Sequence, residues 1–459
     1  MKSYEIKPTH KNIIEAFSND ILNRNYDVFR FTEILNSIEE GCSISLDGNW
    51  GSGKTFFVKQ VKMFLDSKND FFHSIKEEDK SIIINCYNRS TQKPIEFKPQ
   101  VSVYYDAWEN DNDEEPVLSL IYAILKNVDA DFSIDSNINC LEFASNVIEF
   151  FTGKDWGKLI NSFKSEDPLD ELRKAKTIET EIKKFLDALL EERGDRLIIF
   201  VDELDRCKPI YAVRLLERIK HYFDNERITF VFSINTNELQ HTIKRYYGEN
   251  FDACRYLDRF FDLRMSLPPA NIANFYRSIS FNDSHYHYDR MCQEVINKHN
   301  FSIREVAKYI RITKIAAFNP THNDTGEEFI FGEEKALKFC LICIVPIMIG
   351  LKLVDSNKYE KFIQGKDVSP LLDFADSETI LRFQGLLEKD ESFSTKNISA
   401  KHVTVADKLK IVYNALFNTN YDGITYEKRI GDYIFRKDTK ETLLRTVGLF
   451  SKYTNFEID

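Results

Sequence analysis

Apolar, β-branched runs recur along the first 270 residues, with helical patterns between them. They are SISLD (43–47), SIIINC (81–86), VSVYYDAW (101–108), RLIIFVDE (196–203), RITFVFSIN (227–235) and LRMSL (263–267). Most are continuously apolar rather than alternating, the pattern of strands buried on both faces of a parallel sheet. Strands separated by helical segments predict an α/β fold with helices on both faces of that sheet. LPPAN (267–271) then punctuates the chain, and from residue 272 the spacing is mainly helical. We therefore expect an α/β core over 1–270, a helical domain over 271–355 and a C-terminal helical region over 356–459. Residues 110–195 read as a helical excursion inside the core. It opens on ENDNDEE (109–115), a solvated acidic run, and Pro116 is placed to start a helix at its first position.

The longest apolar run, FCLICIVPIMIGL (339–351), contains Pro346. It is shorter than the ~20 residues of a bilayer span, so it reads as a buried helix or as two helical pieces meeting at the proline. The polar stretch NVIEFFTGKDWGKLINSF (146–163) reads as no span either, and the N-terminal residues lack a secretory apolar region. No membrane span is expected.

Composition narrows the function. Of 459 residues, 43% are hydrophobic and 29% charged, and with 37 Phe and 21 Tyr core material is plentiful. The net charge of −11 provides no global attraction to nucleic acid or anionic lipid. The eight cysteines are scattered; Cys340-x-x-Cys343 lies inside the apolar run without a second pair, so reduced buried thiols and a cytoplasmic setting are expected. His285-Tyr-His287 has no carboxylate or cysteine pattern to complete a metal site.

The chemistry concentrates in one stretch. The chain has only 16 glycines, yet Gly48, Gly51 and Gly53 fall together after the SISLD strand. Gly48-Asn49-Trp50-Gly51-Ser52-Gly53-Lys54-Thr55 satisfies G-x-x-x-x-G-K-[ST], and an apolar helical pattern beginning at Phe56 follows. Successive backbone N–H groups must turn inward around the β- and γ-phosphates of a nucleotide, a curvature that glycine permits without side chains in the way. Lys54 reaches the β/γ-phosphates, Thr55 presents a hydroxyl to Mg²⁺, and the helix dipole faces the anion.

A second motif supplies acid. RLIIFVDELDRC (196–207) is an apolar strand ending in Asp202-Glu203. Asp202 at a strand's carboxyl end holds Mg²⁺, and Glu203 is placed to polarise an attacking water. The next strand ends at Asn235, a candidate contact to the γ-phosphate or the water, with Ser233 behind it.

Together with YYDAWEN, YLDRFFDLRMSLPP and FSIREVAKYI, these pieces resemble the KAP family of P-loop NTPases, in the family's order over residues ~15 to ~355. A tryptophan inside the phosphate loop is a family preference. The resemblance implies an ATPase of the additional-strand, catalytic-glutamate class with a helical domain after the core, and ATP and Mg²⁺ as cofactors. It implies that Arg304 reaches the phosphates from the helical domain and that Arg259 lies near where related ATPases carry a finger for a neighbouring subunit's nucleotide; each is read either in that nucleotide role or as half of a surface ion pair. Trp108 matches a family tryptophan, read either as core or as a ligand contact. Asp205 and Arg206 match the family's D-R after the Asp-Glu pair, read either in that family role or as a simple local pair.

The function expected from this is an ATP hydrolase that couples nucleotide state to conformational change or assembly, as a homo-oligomer or with a partner effector protein. The resemblance places such proteins in bacterial anti-phage defence. A slow nucleotide-dependent switch or scaffold gating an effector is the alternative. A nucleic-acid-handling motor is disfavoured by the charge.

Overall fold

Five of the six apolar runs form one parallel sheet. In the computed structural model, which describes residues 4–71, 75–91, 93–127, 170–278, 281, 286–321, 335–383, 404–418, 427–431 and 433–456, these strands are β1 (Cys42–Asp47), β2 (Gln100–Asp106), β3 (Arg196–Asp202), β4 (Ile228–Ile234) and β5 (Leu263–Ser266). Their order is β2-β3-β4-β1-β5. Every pairing in this sheet is parallel. The side chains of β3 and β4 are buried throughout, which is why their sequences read as unbroken apolar runs.

The expected strand at 81–86 is instead part of a helix. In chain order, the first helices are α1 (His10–Asn19), α2 (Asn25–Ser37), α3 (Lys54–Ser67) and α4 (Glu77–Ser90). In α4 the buried residues are Lys80, Ile83 and Tyr87, a three-then-four spacing that puts them on one face of a helix. Glu77, Glu78 and Asp79 occupy its first turn, where acidic side chains complement the helix dipole. The triple isoleucine mimicked a strand, but only its middle member, Ile83, is buried.

The chain divides into two compact units, Lys7–Asn274 and Met1–Ile6 with Phe275–Asp459. In the first, α5 (Pro116–Asn127), α6 (Asp170–Arg193), α7 (Pro209–Tyr222) and α8 (Thr236–Tyr247) complete the helices used below. Pro116 does open α5. Residues 128–169, which include the stretch 146–163, lie outside the described residues. Val101, Val103 and Tyr105 join a core with Leu120 and Ile124 of α5, Phe185 and Leu189 of α6, and Leu215 of α7. The alternate positions of β2 face α3: the Ser102 hydroxyl donates to Asp66, and Lys59 Nζ lies 4.2 Å from the Tyr104 ring centroid. Helices therefore cover both faces of the sheet.

Among its described residues the second unit is mainly helical, with one antiparallel hairpin, β6 (Glu427–Ile430) and β7 (Tyr433–Arg436). Residues on both sides of 355 belong to it. The apolar run forms a continuous helical stretch: Lys335–Phe339, a π-helical turn at Cys340–Ile344, then Val345–Val354 with Pro346 in the first turn. The π turn sits at the junction where the proline cannot donate a backbone hydrogen bond. Among the described residues this is the one helix of a length and apolarity that would cross a bilayer, with 72% of its most apolar window buried.

Candidate functional site

The loop and the acidic motif meet at the carboxyl edge of the sheet. β1 ends at Asp47, level with Ile234 of β4 and Ser266 of β5, and Asp106 of β2 is level with Asp202 of β3. This edge is where ligands bind in open parallel sheets. The loop leaves β1 with the Gly48 N–H donating to the Ile234 carbonyl at 3.1 Å. Gly51 and Gly53 have φ of 77° and 91°, a left-handed conformation that disfavours side chains. A Cβ at Gly48 would stand 2.9 Å from Ser52 Oγ and 3.3 Å from Lys54 Cγ. The glycines thus make a backbone cradle at the N-terminus of α3.

Lys54 is buried beneath it, and its Nζ donates to the carbonyls of Gly48 at 2.5 Å and Asn49 at 3.3 Å. Burial lowers its pKa, opposed by Asp205, Asp202, Glu203 and Asp47. Thr55 follows at the helix start and is half-buried. The Phe56 side chain is in the core, so what it offers a ligand is its backbone.

Asp202 is fully buried. Its Oδ2 accepts from the Tyr104 hydroxyl at 3.0 Å, while Oδ1 is buried without a hydrogen-bond partner. A carboxylate oxygen left over in this position suits a magnesium ion, and with Thr55 and the glycine cradle the residues fit a Mg-nucleotide. Glu203 takes a left-handed backbone, φ 60° and ψ 21°, and forms an ion pair with Arg206 Nε. Burial, then Asp202, pushes its pKa up to about 7, against the lowering effects of Arg206 and Lys54.

Asp205 and Arg206 do not pair with each other. Asp205 Oδ2 accepts from Trp50 Nε1 at 2.6 Å, which ties the phosphate loop to the turn after β3. The Arg206 guanidinium carbon lies 5.9 Å from the Trp50 ring centroid and 5.4 Å from that of Trp108. Trp108 is 52% exposed, so it is not core. Asn235 caps α8, its side chain accepting from the Glu238 N–H at 3.4 Å. The Ser233 hydroxyl is buried without a hydrogen-bond partner.

One expected residue of this unit stands apart from this edge. Arg259 is exposed and precedes β5, whose first residue is level with Ile44 of β1. It lines a cavity of about 460 Å³ at the amino ends of β1 and β4, the end of the sheet opposite the phosphate loop. Arg304 belongs to the other unit, where its Nε lies 3.4 Å from Glu5 Oε1.

Sequence reasoning missed Arg24. Its guanidinium donates to the Ser52 carbonyl at 2.9 Å and to the Pro268 carbonyl at 2.6 Å, clamping the loop. Burial lowers its pKa to about 10. Asp47 was missed as well: Oδ1 accepts from the Thr236 N–H at 2.7 Å and so joins the end of β1 to the start of α8.

β4 lies between the loop strand β1 and the acidic strand β3. That order, the strand–loop–helix with its buried lysine, and the carboxylates at the same edge define a P-loop nucleotide-binding protein. The chain belongs to the KAP family: the model of the KAP family P-loop domain matches residues 15–311. No match was found among curated proteins. Among solved structures, one described as "Structure of the Aeropyrum Pernix ORC2 protein (ADPNP-ADP complexes)" is 10% identical and aligns over 88% of this chain and 94% of that chain, with a TM-score of 0.30.

Proposed function

We propose that the protein is a Mg-dependent ATPase that couples nucleotide state to conformational change or assembly. The observation that carries this reading is the convergence of Lys54, the unpartnered Asp202 oxygen and Glu203 on one sheet edge. The loop amides and Lys54 hold the β- and γ-phosphates, Lys54 exchanging two loop carbonyls for phosphate oxygens. Thr55 and Asp202 would hold magnesium, which would supply neutralising charge to the transferred phosphoryl group. Glu203 accepts a proton from water as the water oxygen bonds to the γ-phosphorus and the bond to the β-phosphate oxygen breaks, giving ADP and phosphate. Asn235 keeps Nδ2 to donate to the γ-phosphate or the water while its Oδ1 caps α8. Arg304 and, from a neighbouring subunit, Arg259 add positive charge at the transition state. ATP is preferred to GTP because the chain has no N-K-x-D-type guanine reader in a suitable place.

The scattered cysteines support a cytoplasmic setting, and family membership supports a role in bacterial anti-phage defence, with a second copy or an effector protein as partner. A Lys54→Ala variant tests both levels. Loss of ATP binding and of protection against phage in expressing cells supports the reading, and full activity of the variant ends it. One observation favours the slower, switch-like alternative: the Glu203 carboxylate is already engaged by Arg206.

A further inference from the structure

Glu203 has a conformation that nothing in its own chemistry requires. A left-handed backbone at a non-glycine residue is strained, and such strain persists where surroundings over-determine it. Here the surroundings are three linked contacts. The carboxylate is ion-paired to Arg206, one turn further along the same 3-10 segment, Leu204–Arg206. The Arg206 guanidinium lies against two tryptophan rings, Trp50 and Trp108. Trp50 is itself a phosphate-loop residue, and its indole N–H is bonded to Asp205, the neighbour of Arg206.

We propose that Arg206 is a positioning residue that clamps Glu203 to the turn after β3, and that Trp50 makes the clamp responsive to phosphates in the loop. The proposal rests on Glu203 being the base for water. The loop atoms adjoining Trp50 include the Asn49 carbonyl that Lys54 grips, so any phosphate that draws Lys54 away acts on the residue next to Trp50. Movement of Trp50 removes one face of the stack around Arg206 and disturbs the bond to Asp205. Arg206 is then less firmly held, and Glu203 is released toward the sheet edge. Arg206 touches neither substrate nor reacting atoms in this account; it acts through Glu203. The connection runs through a single tryptophan, since Trp108, on β2's exit, adjoins no phosphate-loop residue in sequence.

The test is steady-state ATP hydrolysis with Mg²⁺, alongside calorimetric binding of a non-hydrolysable ATP analogue, in the full-length protein. Arg206→Ala is expected to raise kcat about three- to tenfold, the scale of releasing a half-buried ion pair, with analogue affinity within about twofold. Arg206→Lys keeps the charge but loses the planar stack, and should fall between that variant and the native protein. The double variant Glu203→Gln/Arg206→Ala should be as inactive as Glu203→Gln, because Arg206 works through Glu203. If Arg206→Ala leaves kcat unchanged or lowers it while Glu203→Gln is inactive, the clamp is wrong and the base stands. If Glu203→Gln turns over normally, both fall together. Should Arg206→Ala fail to fold, Trp108→Ala at an exposed position removes one stacking face and should raise kcat about twofold. An unchanged or lower kcat in that variant overturns the clamp.

Discussion

Two cations of opposite visibility hold the phosphate loop. Lys54 follows the glycines and is read from the motif; Arg24 lies 28 residues before its loop partner Ser52 and bridges to Pro268, 244 residues away. No local pattern marks an arginine whose partners are backbone carbonyls, and this is why it escaped the sequence reading. Lys54→Ala should weaken ATP binding about 10- to 150-fold, the loss of ~1.5–3 kcal/mol of charge-assisted hydrogen bonding. Equilibrium binding of the analogue measures this, and unchanged affinity would remove the lysine from the site. Arg24→Ala leaves two carbonyls unpaired in a largely buried place. It should cost ~1–3 kcal/mol of stability by urea denaturation and also weaken nucleotide binding. A loss of stability without any change in binding would make Arg24 a structural residue only. The aromatic residues were half legible: Trp50 stood out in the loop, but its bond to Asp205 and the two rings about Arg206 depend on the folded sheet edge.

At the scale of elements, what was legible follows from burial. β3 and β4 are buried on both faces, so composition alone marked them. α4 is amphipathic, and a β-branched triplet placed across its buried stripe concealed the helical period. The helix Val345–Val354 packs against His287–His299. Gly350 sits where a Cβ would approach Val295 Cγ1 at 2.5 Å. Gly350→Ala gains ~1 kcal/mol of helix propensity but incurs ~1–3 kcal/mol of overpacking against a branched side chain with little freedom to turn aside. Packing should win, giving a net loss of about 1 kcal/mol in unfolding free energy by urea denaturation; a stabilised variant would show that the helix pair yields easily. His287 opens the partner helix His287–His299, and burial, then Arg382 and Arg290, lower its pKa to about 4. Its unfolded value is about 6.5, so the unfolded chain takes up the proton first. The stability this neutral histidine confers is complete above pH 6.5 and is lost as pH falls from 6.5 toward 4. His287→Gln should flatten that slope in pH-dependent denaturation, and an unaltered slope would assign it to other groups.

For the whole molecule, the alternation of strand and helix and the change to helical spacing from residue 272 made an α/β region and a helical region legible. The hairpin of β6 and β7 was not, because two four-residue strands leave little periodic signal. Neither was the grouping of Met1–Ile6 with Phe275–Asp459, which is a long-range association that no local pattern encodes. Of the candidate nucleotide-site residues only Arg304 lies outside Lys7–Asn274, so ATP should stabilise that unit. At a free concentration 100 times Kd the gain is ~2.7 kcal/mol, visible as a rise in Tm that Lys54→Ala lacks. Mass measurement with and without ATP tests assembly: a nucleotide-dependent increase supports a neighbouring subunit that supplies Arg259, and a constant monomer mass contradicts it.

The central claim is that Glu203 is the base of an ATP-hydrolysing site whose phosphate loop is Gly48–Thr55. It is tested most directly by comparing ATP turnover of the native protein and Glu203→Gln, with binding of the same nucleotide measured in parallel. The account predicts that the native protein hydrolyses ATP, and that the variant binds ATP with similar affinity while turnover falls about 10²- to 10⁴-fold, the range of a lost general base. Equal turnover in the two proteins, or a native protein that binds ATP without hydrolysing it, would contradict it.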